Sequence, residues 1–191
     1  MRPVSGSREP KTVAESQVTL VQLMERTDAN IAGIVHGGVV MRLADTAAGL
    51  AAIKHSGGLA VTASMDQMSF LHPVHLGDTL TIKASVNDVG TTSLEVGVRV
   101  ESENIFTREV LHTSSAYFVY VAIDEEGRPR PVPPLRAVTP EEQRRQAEAK
   151  IRRETRLTHR RAIEELRRSG AFSGGERSLS ASISPQIWKR F

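Results

Sequence analysis

Along most of this chain apolar and polar positions alternate, and one block breaks that rule. Gln17 to Met24, Leu59 to Leu71, Thr79 to Asp88, Thr92 to Glu103 and Arg108 to Ile123 carry period-two stretches rich in Val, Thr, Ile and Phe. That is the pattern of half-buried strands. Leu80, Ile82, Ala84 and Val86 form one face of their strand, and Leu94, Val96, Val98 and Val100 form one face of the next. Gly77-Asp78 and Asp88-Val89-Gly90-Thr91 predict tight connections between antiparallel neighbours. The exception runs from Val39 to Ile53, which has no Pro, a single Gly49, and otherwise mostly good helix formers. Gly37 and Gly38 mark its start and Gly57 and Gly58 its stop. Lys54 and His55 would put positive charge in the last turn, where the helix dipole favours it. One strand, a long helix, then four strands predicts an α+β plan: a curved antiparallel sheet of about five strands around a central helix.

That helix holds one carboxylate, Asp45, among Ala44, Ala47, Ala48 and Ala51. Burying it without a partner would cost several kcal/mol, so folding alone gives no reason for it. At helical spacing Arg42, Asp45, Thr46 and Gly49 share one face. Asp45 therefore has two readings: an i,i+3 ion pair with Arg42 on a wet face, or a carboxylate kept for chemistry. Gly37 and Gly38 read as a helix-entry turn whose bare amides also face whatever lies in front of the helix. Asn30 reads either as an Asx-turn residue beside Asp28 or as a functional amide.

Several separated motifs together resemble a known family. The order strand, DxN loop at Asp28–Asn30, VHGG at Val35–Gly38, Ala-rich helix with an internal Asp, then TASMDQMSFLHPVHLGD, is similar to hotdog-fold acyl-CoA thioesterases. The likeness is to the branch holding bacterial short- and medium-chain acyl-CoA hydrolases and the double-hotdog vertebrate cytosolic enzymes. SSAYFVYVAIDEEGRPRPVPPL, residues 114–135, resembles that branch's final strand and exit loop, and the resemblance covers about residues 12 to 165. It implies that Asn30 and Asp45 are the functional side chains. It also implies a site shared across a dimer, because double-hotdog relatives carry the Asn on one repeat and the Asp on the other, while this chain has no second copy of the motif. Hydrolysis needs an activated water or a nucleophile, and a place for the carbonyl's negative charge. Asp45 would be base or nucleophile, and an apolar setting would strengthen it as a base. Asn30 would position the water or the thioester, and the amides at Gly37 and Gly38 would stabilise the oxyanion. No metal or redox cofactor is implied, CoA entering as part of the substrate. At least a homodimer is expected, with a hexameric trimer of dimers left open.

Other chemistries find little support. His36, His55, His72, His75, His112 and His159 include no metal-ligand pair at helical spacing. There is no GxxxxGK[ST], GxGxxG or GxSxG. A hotdog enoyl-CoA hydratase or dehydratase would carry DxNPxH; Asp28 and Asn30 fit, but Ile31 stands at the Pro position and Gly33 at the His position. A non-catalytic acyl-CoA sensor would have no need of the Asn30–Asp45 pair.

With 191 residues, 39% of them apolar, the chain can bury one core. It has no Cys, which removes disulfides and a thiol nucleophile, and a cytoplasmic setting is expected. No apolar run reaches the eighteen or so residues of a membrane span. Residues 1–11 are expected to be a disordered lead-in and 12–135 the hotdog domain. The basic character lies beyond that domain: residues 1–138 carry a net −3, 139–168 a net +4 and 169–191 a net +2, summing to +3. Thr139-Pro140-Glu141-Glu142 predicts a helix start, and a basic helix over 139–169. Its apolar stripe (Ala147, Ile151, Ile163, Leu166) is broken, which predicts loose packing or packing against a partner subunit. Its paired arginines (144/145, 152/153, 160/161) would serve CoA phosphates, an anionic membrane or nucleic acid, or form a solvated face laced by Glu–Arg pairs. The last of these is expected, and no nucleic-acid partner. Residues 170–191 are expected to be a disordered tail in which Trp188 and Phe191 could dock elsewhere.

Overall fold

The computed structural model describes residues 9–169. The expected tail, with Trp188 and Phe191, and residues 1–8 of the lead-in lie outside the described residues. A five-stranded antiparallel sheet curves around one helix, the α+β hotdog plan. The elements are β1 (Lys11–Thr12), β2 (Val18–Leu23), α1 (Gly37–Ser56), β3 (Ala60–Phe70), β4 (Asp78–Val89), β5 (Ser93–Asn104), β6 (Val110–Ala122), β7 (Leu135–Arg136) and α2 (Pro140–Arg168). The large sheet has the order β2-β4-β5-β6-β3, and β1 pairs with β7 in a small parallel sheet.

The inward faces of β4 and β5 are those read from the alternation: Leu80, Ile82, Val86, Leu94, Val96 and Val100 are fully buried. They pack against Ala44, Ala47, Ala48, Ala51 and Ala52 of α1. Methyl side chains let the sheet close tightly on the helix, so packing density comes from close approach rather than from bulk. Register shifts on β3, near Thr62/Ser64 and Met65/Gln67, bend that strand. The opposite edge of β3 has no strand partner among the described residues.

Three local expectations change. Gly77-Asp78 does not close a hairpin: β3 and β4 are separated by two strands, and the 71–77 segment crosses the sheet end, where Val74 O accepts from Val35 N. Lys11, expected at the end of the lead-in, pairs with Leu135 in β1. Its Nζ donates to the Lys54 and His55 carbonyls at 3.0 and 2.8 Å, supplying the positive charge at the C-terminus of α1. His55 does not supply it. It is fully buried, its Nε2 donates to Pro133 O at 3.0 Å, and burial lowers its pKa below the usual 6.5. The Pro-rich exit is therefore packed against the end of α1.

α2 begins with the predicted capping box at Thr139 and Glu142. It does not pack loosely. Arg152 binds Glu95 of β5 at 2.6 Å and stacks 3.7 Å above the Tyr117 ring, while Arg156 pairs with Asp66 and Glu95. Ion pairs replace the missing apolar stripe. The expected Glu–Arg lacing holds for Arg144 and Arg145, which pair with Glu141, and for Arg144 with Glu148. Among the described residues no helix is long and apolar enough to cross a membrane.

Candidate active site

The polar loop before α1 is built from its own backbone. Asp28 caps a short 3-10 turn by accepting from Glu25 N, and its carbonyl accepts from His36 N at 2.8 Å. Asn30 Oδ1 accepts from Ala32 N at 2.8 Å, with Asn30 N donating to Ile34 O. The Asx-turn reading of Asn30 is thus correct, and it leaves a use for the residue. With Oδ1 tied to the loop, Nδ2 donates to nothing among the described residues and is oriented as a fixed donor.

At the start of α1 the two glycine amides are not equivalent. Gly38 N donates to His36 Nδ1 at 2.9 Å, which makes His36 the N-cap. Gly37 N has no acceptor among the described residues. A Cβ at Gly37 would stand 3.4 Å from the Phe70 ring, so the glycine keeps the front of the helix narrow but open.

Asp45 is half-buried, two turns further along α1. Among the described residues no ion pair joins it to Arg42; the Arg42 carbonyl instead accepts from Thr46 Oγ1. Nor is it surrounded by alanines alone. Thr62 Oγ1 donates to Asp45 Oδ1 at 2.8 Å, and the Tyr120 hydroxyl lies 2.6 Å from the same oxygen and 2.8 Å from the Asp45 carbonyl. Thr62 and Tyr120 are direct cross-strand partners on β3 and β6. Neither was legible as a site residue, because their convergence depends on strand register. Among the described residues no hydrogen bond reaches Asp45 Oδ2.

Within one protomer the Gly37 amide and the Asp45 carboxylate do not meet. Eight residues of helix separate Gly37 from Asp45, about 12 Å along the axis, so the amide and the carboxylate of one chain cannot flank the same carbonyl carbon. Among the described residues no three His, Cys, Asp or Glu are grouped to hold a metal ion.

Residues 32–105 match the model of the thioesterase superfamily. The chain is 39% identical over 145 residues to protein VdlD of Helicobacter pylori, covering 76% of this chain and 83% of that one. It is 36% identical over 146 residues to the cytosolic acyl coenzyme A thioester hydrolase of Mus musculus, covering 75% of this chain but 38% of the mouse protein. Among solved structures, an apo-hexameric acyl-CoA thioesterase superposes with TM-score 0.77 at 36% identity, covering 79% of this chain and 97% of that one. The acyl-CoA hydrolase of Staphylococcus aureus, solved with butyryl coenzyme A and coenzyme A, superposes with TM-score 0.76 at 31% identity, covering 83% and 97%. That enzyme has also been solved as Asp-to-Ala, Asn-to-Ala and Thr-to-Ala variants.

Proposed function

This chain belongs to the hotdog-fold acyl-CoA thioesterases, and from that premise we propose that it hydrolyses fatty acyl-CoA at sites shared between two subunits. Each site takes Asp45 from one subunit and Asn30 with the Gly37 amide from the other. The observation that carries this reading is the pair of unsatisfied polar ends, Asp45 Oδ2 and Asn30 Nδ2, each on a side chain whose Oδ1 is pinned. The rise of about 12 Å along α1 between Gly37 and Asp45 argues for a second copy. The free edge of β3 offers the place for it: Val61, Met65 and Phe70 on that strand and Leu50 and Ile53 on α1 are all exposed.

In the reaction, Asp45 Oδ2 takes a proton from water as the water oxygen attacks the thioester carbonyl carbon. The oxyanion is held by the Gly37 N–H and by Asn30 Nδ2. When the oxyanion collapses the C–S bond breaks, and the proton on Asp45 passes to the departing sulfur, giving free acid and CoA thiol. These steps call on no metal or redox cofactor. The spacing of the substituted positions in the Staphylococcus aureus enzyme supports the assignment. Its Asn, Asp and Thr variants are separated by fifteen and seventeen residues, as Asn30, Asp45 and Thr62 are here. A hexamer of three such dimers and a cytoplasmic setting belong to the same proposal, supported by the hexameric and cytosolic relatives.

The test is thiol release from a series of acyl-CoAs by the wild type and Asp45→Ala. Wild type is expected to turn over, and Asp45→Ala to be at background while folded. Its stability should change by no more than about 1 kcal/mol, since Tyr120 keeps the Asp45 carbonyl as acceptor. Full activity in Asp45→Ala would remove the base.

A further inference from the structure

The proposed mechanism uses one oxygen of Asp45 and leaves open what holds the other. Two hydroxyls converge on Oδ1. One, from Thr62, sits on the exposed side of the site; the other, from Tyr120, comes from beneath, on a side chain among the largest that are fully buried. Folding does not require the second contact to be to a carboxylate. The buried phenol has one proton, and the Asp45 carbonyl at 2.8 Å would satisfy it. The shorter approach, 2.6 Å, is to Oδ1, so the one proton is directed at the carboxylate in a charge-assisted bond although the carbonyl is within reach. Burial and the adjoining carboxylate push the Tyr120 hydroxyl well above the usual tyrosine range, so it stays a donor at every working pH.

Gly49 explains how the phenol gets there. It is the only glycine of α1 beyond the first turn, one helical turn after Asp45. Cα–Cβ bonds in a helix tilt toward the N-terminus, so a side chain at 49 would lie back over the approach to residue 45. The phenol occupies that approach: a Cβ at 49 would stand in van der Waals contact with it, 3.4 Å from the Tyr120 hydroxyl and 3.5 Å from Cε1, so a methyl group would touch the ring and a branched side chain would press on it. A glycine that lowers helix propensity among alanines is thus placed where the ring must pass.

We propose that Tyr120 is a positioning residue for the hydrolysis, gripping Asp45 by Oδ1 so that Oδ2 faces the substrate, and that Gly49 is the notch in α1 that admits its ring. The terminal torsion of an aspartate is broad, and a carboxylate held by Thr62 alone would swing. Two donors from adjacent strands on one oxygen fix its plane. The inference rests on the reading of Asp45 as catalytic base.

The experiment is steady-state hydrolysis of acyl-CoA by Tyr120→Phe, with Gly49→Val and the double variant alongside. Tyr120→Phe keeps the ring and is expected to lose about tenfold in kcat with KM nearly unchanged. A hydroxyl needed only for packing would move the melting temperature without that split. Gly49→Val keeps the hydroxyl but displaces it, and should also lower kcat; in the double variant the two losses should not add. Wild-type kcat in Tyr120→Phe overturns the positioning role, and fully additive losses overturn the notch. Asp45→Ala separates the two levels. If it is inactive while Tyr120→Phe is fully active, only the Tyr120 proposal falls; if Asp45→Ala is itself active, the underlying mechanism falls.

Discussion

The Gly38 amide donates to Nδ1 of His36 at 2.9 Å, so one of the two amides expected to face the substrate oxygen is already used inside the protein. This leaves the Gly37 amide for the proposed oxyanion role and gives His36 a structural task. Its Nδ1 accepts a hydrogen bond from the Gly38 N–H, which assigns the ring's own proton to Nε2 and makes His36 a cap rather than a base. His36→Ala should therefore lower stability by about 1 kcal/mol, the cost of a lost cap. Its kcat should stay within a few-fold of wild type, and His36→Asn should recover the stability. Denaturation midpoints together with thiol-release rates check both halves. A collapse of kcat in His36→Asn, with the cap restored, would make His36 part of the chemistry.

A site divided between two subunits predicts complementation. Asn30→Ala and Asp45→Ala homodimers should each be inactive. A heterodimer of the two has one site with both residues intact and one with neither. Doubly tagged heterodimers should recover up to about half of wild-type activity by that symmetry. Thiol release from purified heterodimers measures it, and no recovery would mean that each site is built from one chain.

How far the sequence reveals this site depends on whether the contact is local. Asp45 stands out because a carboxylate in an alanine-rich helix has no folding reason, and the loop residue Asn30 is visible in a short motif. The α1 boundaries follow from glycines that any helix would place there. Thr62 and Tyr120 are hidden for the opposite reason. They lie 58 residues apart and meet only through the β3–β6 register, which shifts between Thr62 and Ser64. The grip of α2 is hidden likewise. Its apolar stripe is weak, so periodicity points to a solvated helix, whereas Glu95 and Asp66 on the sheet supply the partners. Charge pairing across elements leaves no period to read.

Buried His55 makes stability depend on pH. Its pKa is lowered chiefly by desolvation, and its Nδ1 has no partner among the described residues. A group depressed in the folded state is neutral in both states above its unfolded value of 6.5, so that stability is then fully present. As pH falls below 6.5 the unfolded chain takes up a proton that the folded chain refuses, and stability drops until the lower folded value is passed. Urea midpoints should thus fall between neutral and mildly acidic pH. His55→Gln, which can still donate to Pro133 O, should flatten that slope; an unchanged slope would assign it to other groups.

The last prediction concerns the joint between α2 and the sheet. Glu95 is a carboxylate with its side chain 3% exposed, lying on the outer face of β5 and satisfied by Arg152 and Arg156. Removing one cation from a buried pair leaves a charge that can neither reach water nor find a full partner, and such losses run to about 3 kcal/mol. Arg152→Ala should cost about that much, while Glu95→Gln should cost less, because an amide tolerates burial better than an unpaired carboxylate. The Tyr117 ring beneath Arg152 adds a cation–π contact that Arg152→Lys would keep in part, so that variant should fall between the two. Equilibrium unfolding of the three variants sets the order. If Arg152→Ala is no worse than Glu95→Gln, the ion pair is not what fastens α2, and the helix is held by Ala149 and its neighbours against the sheet.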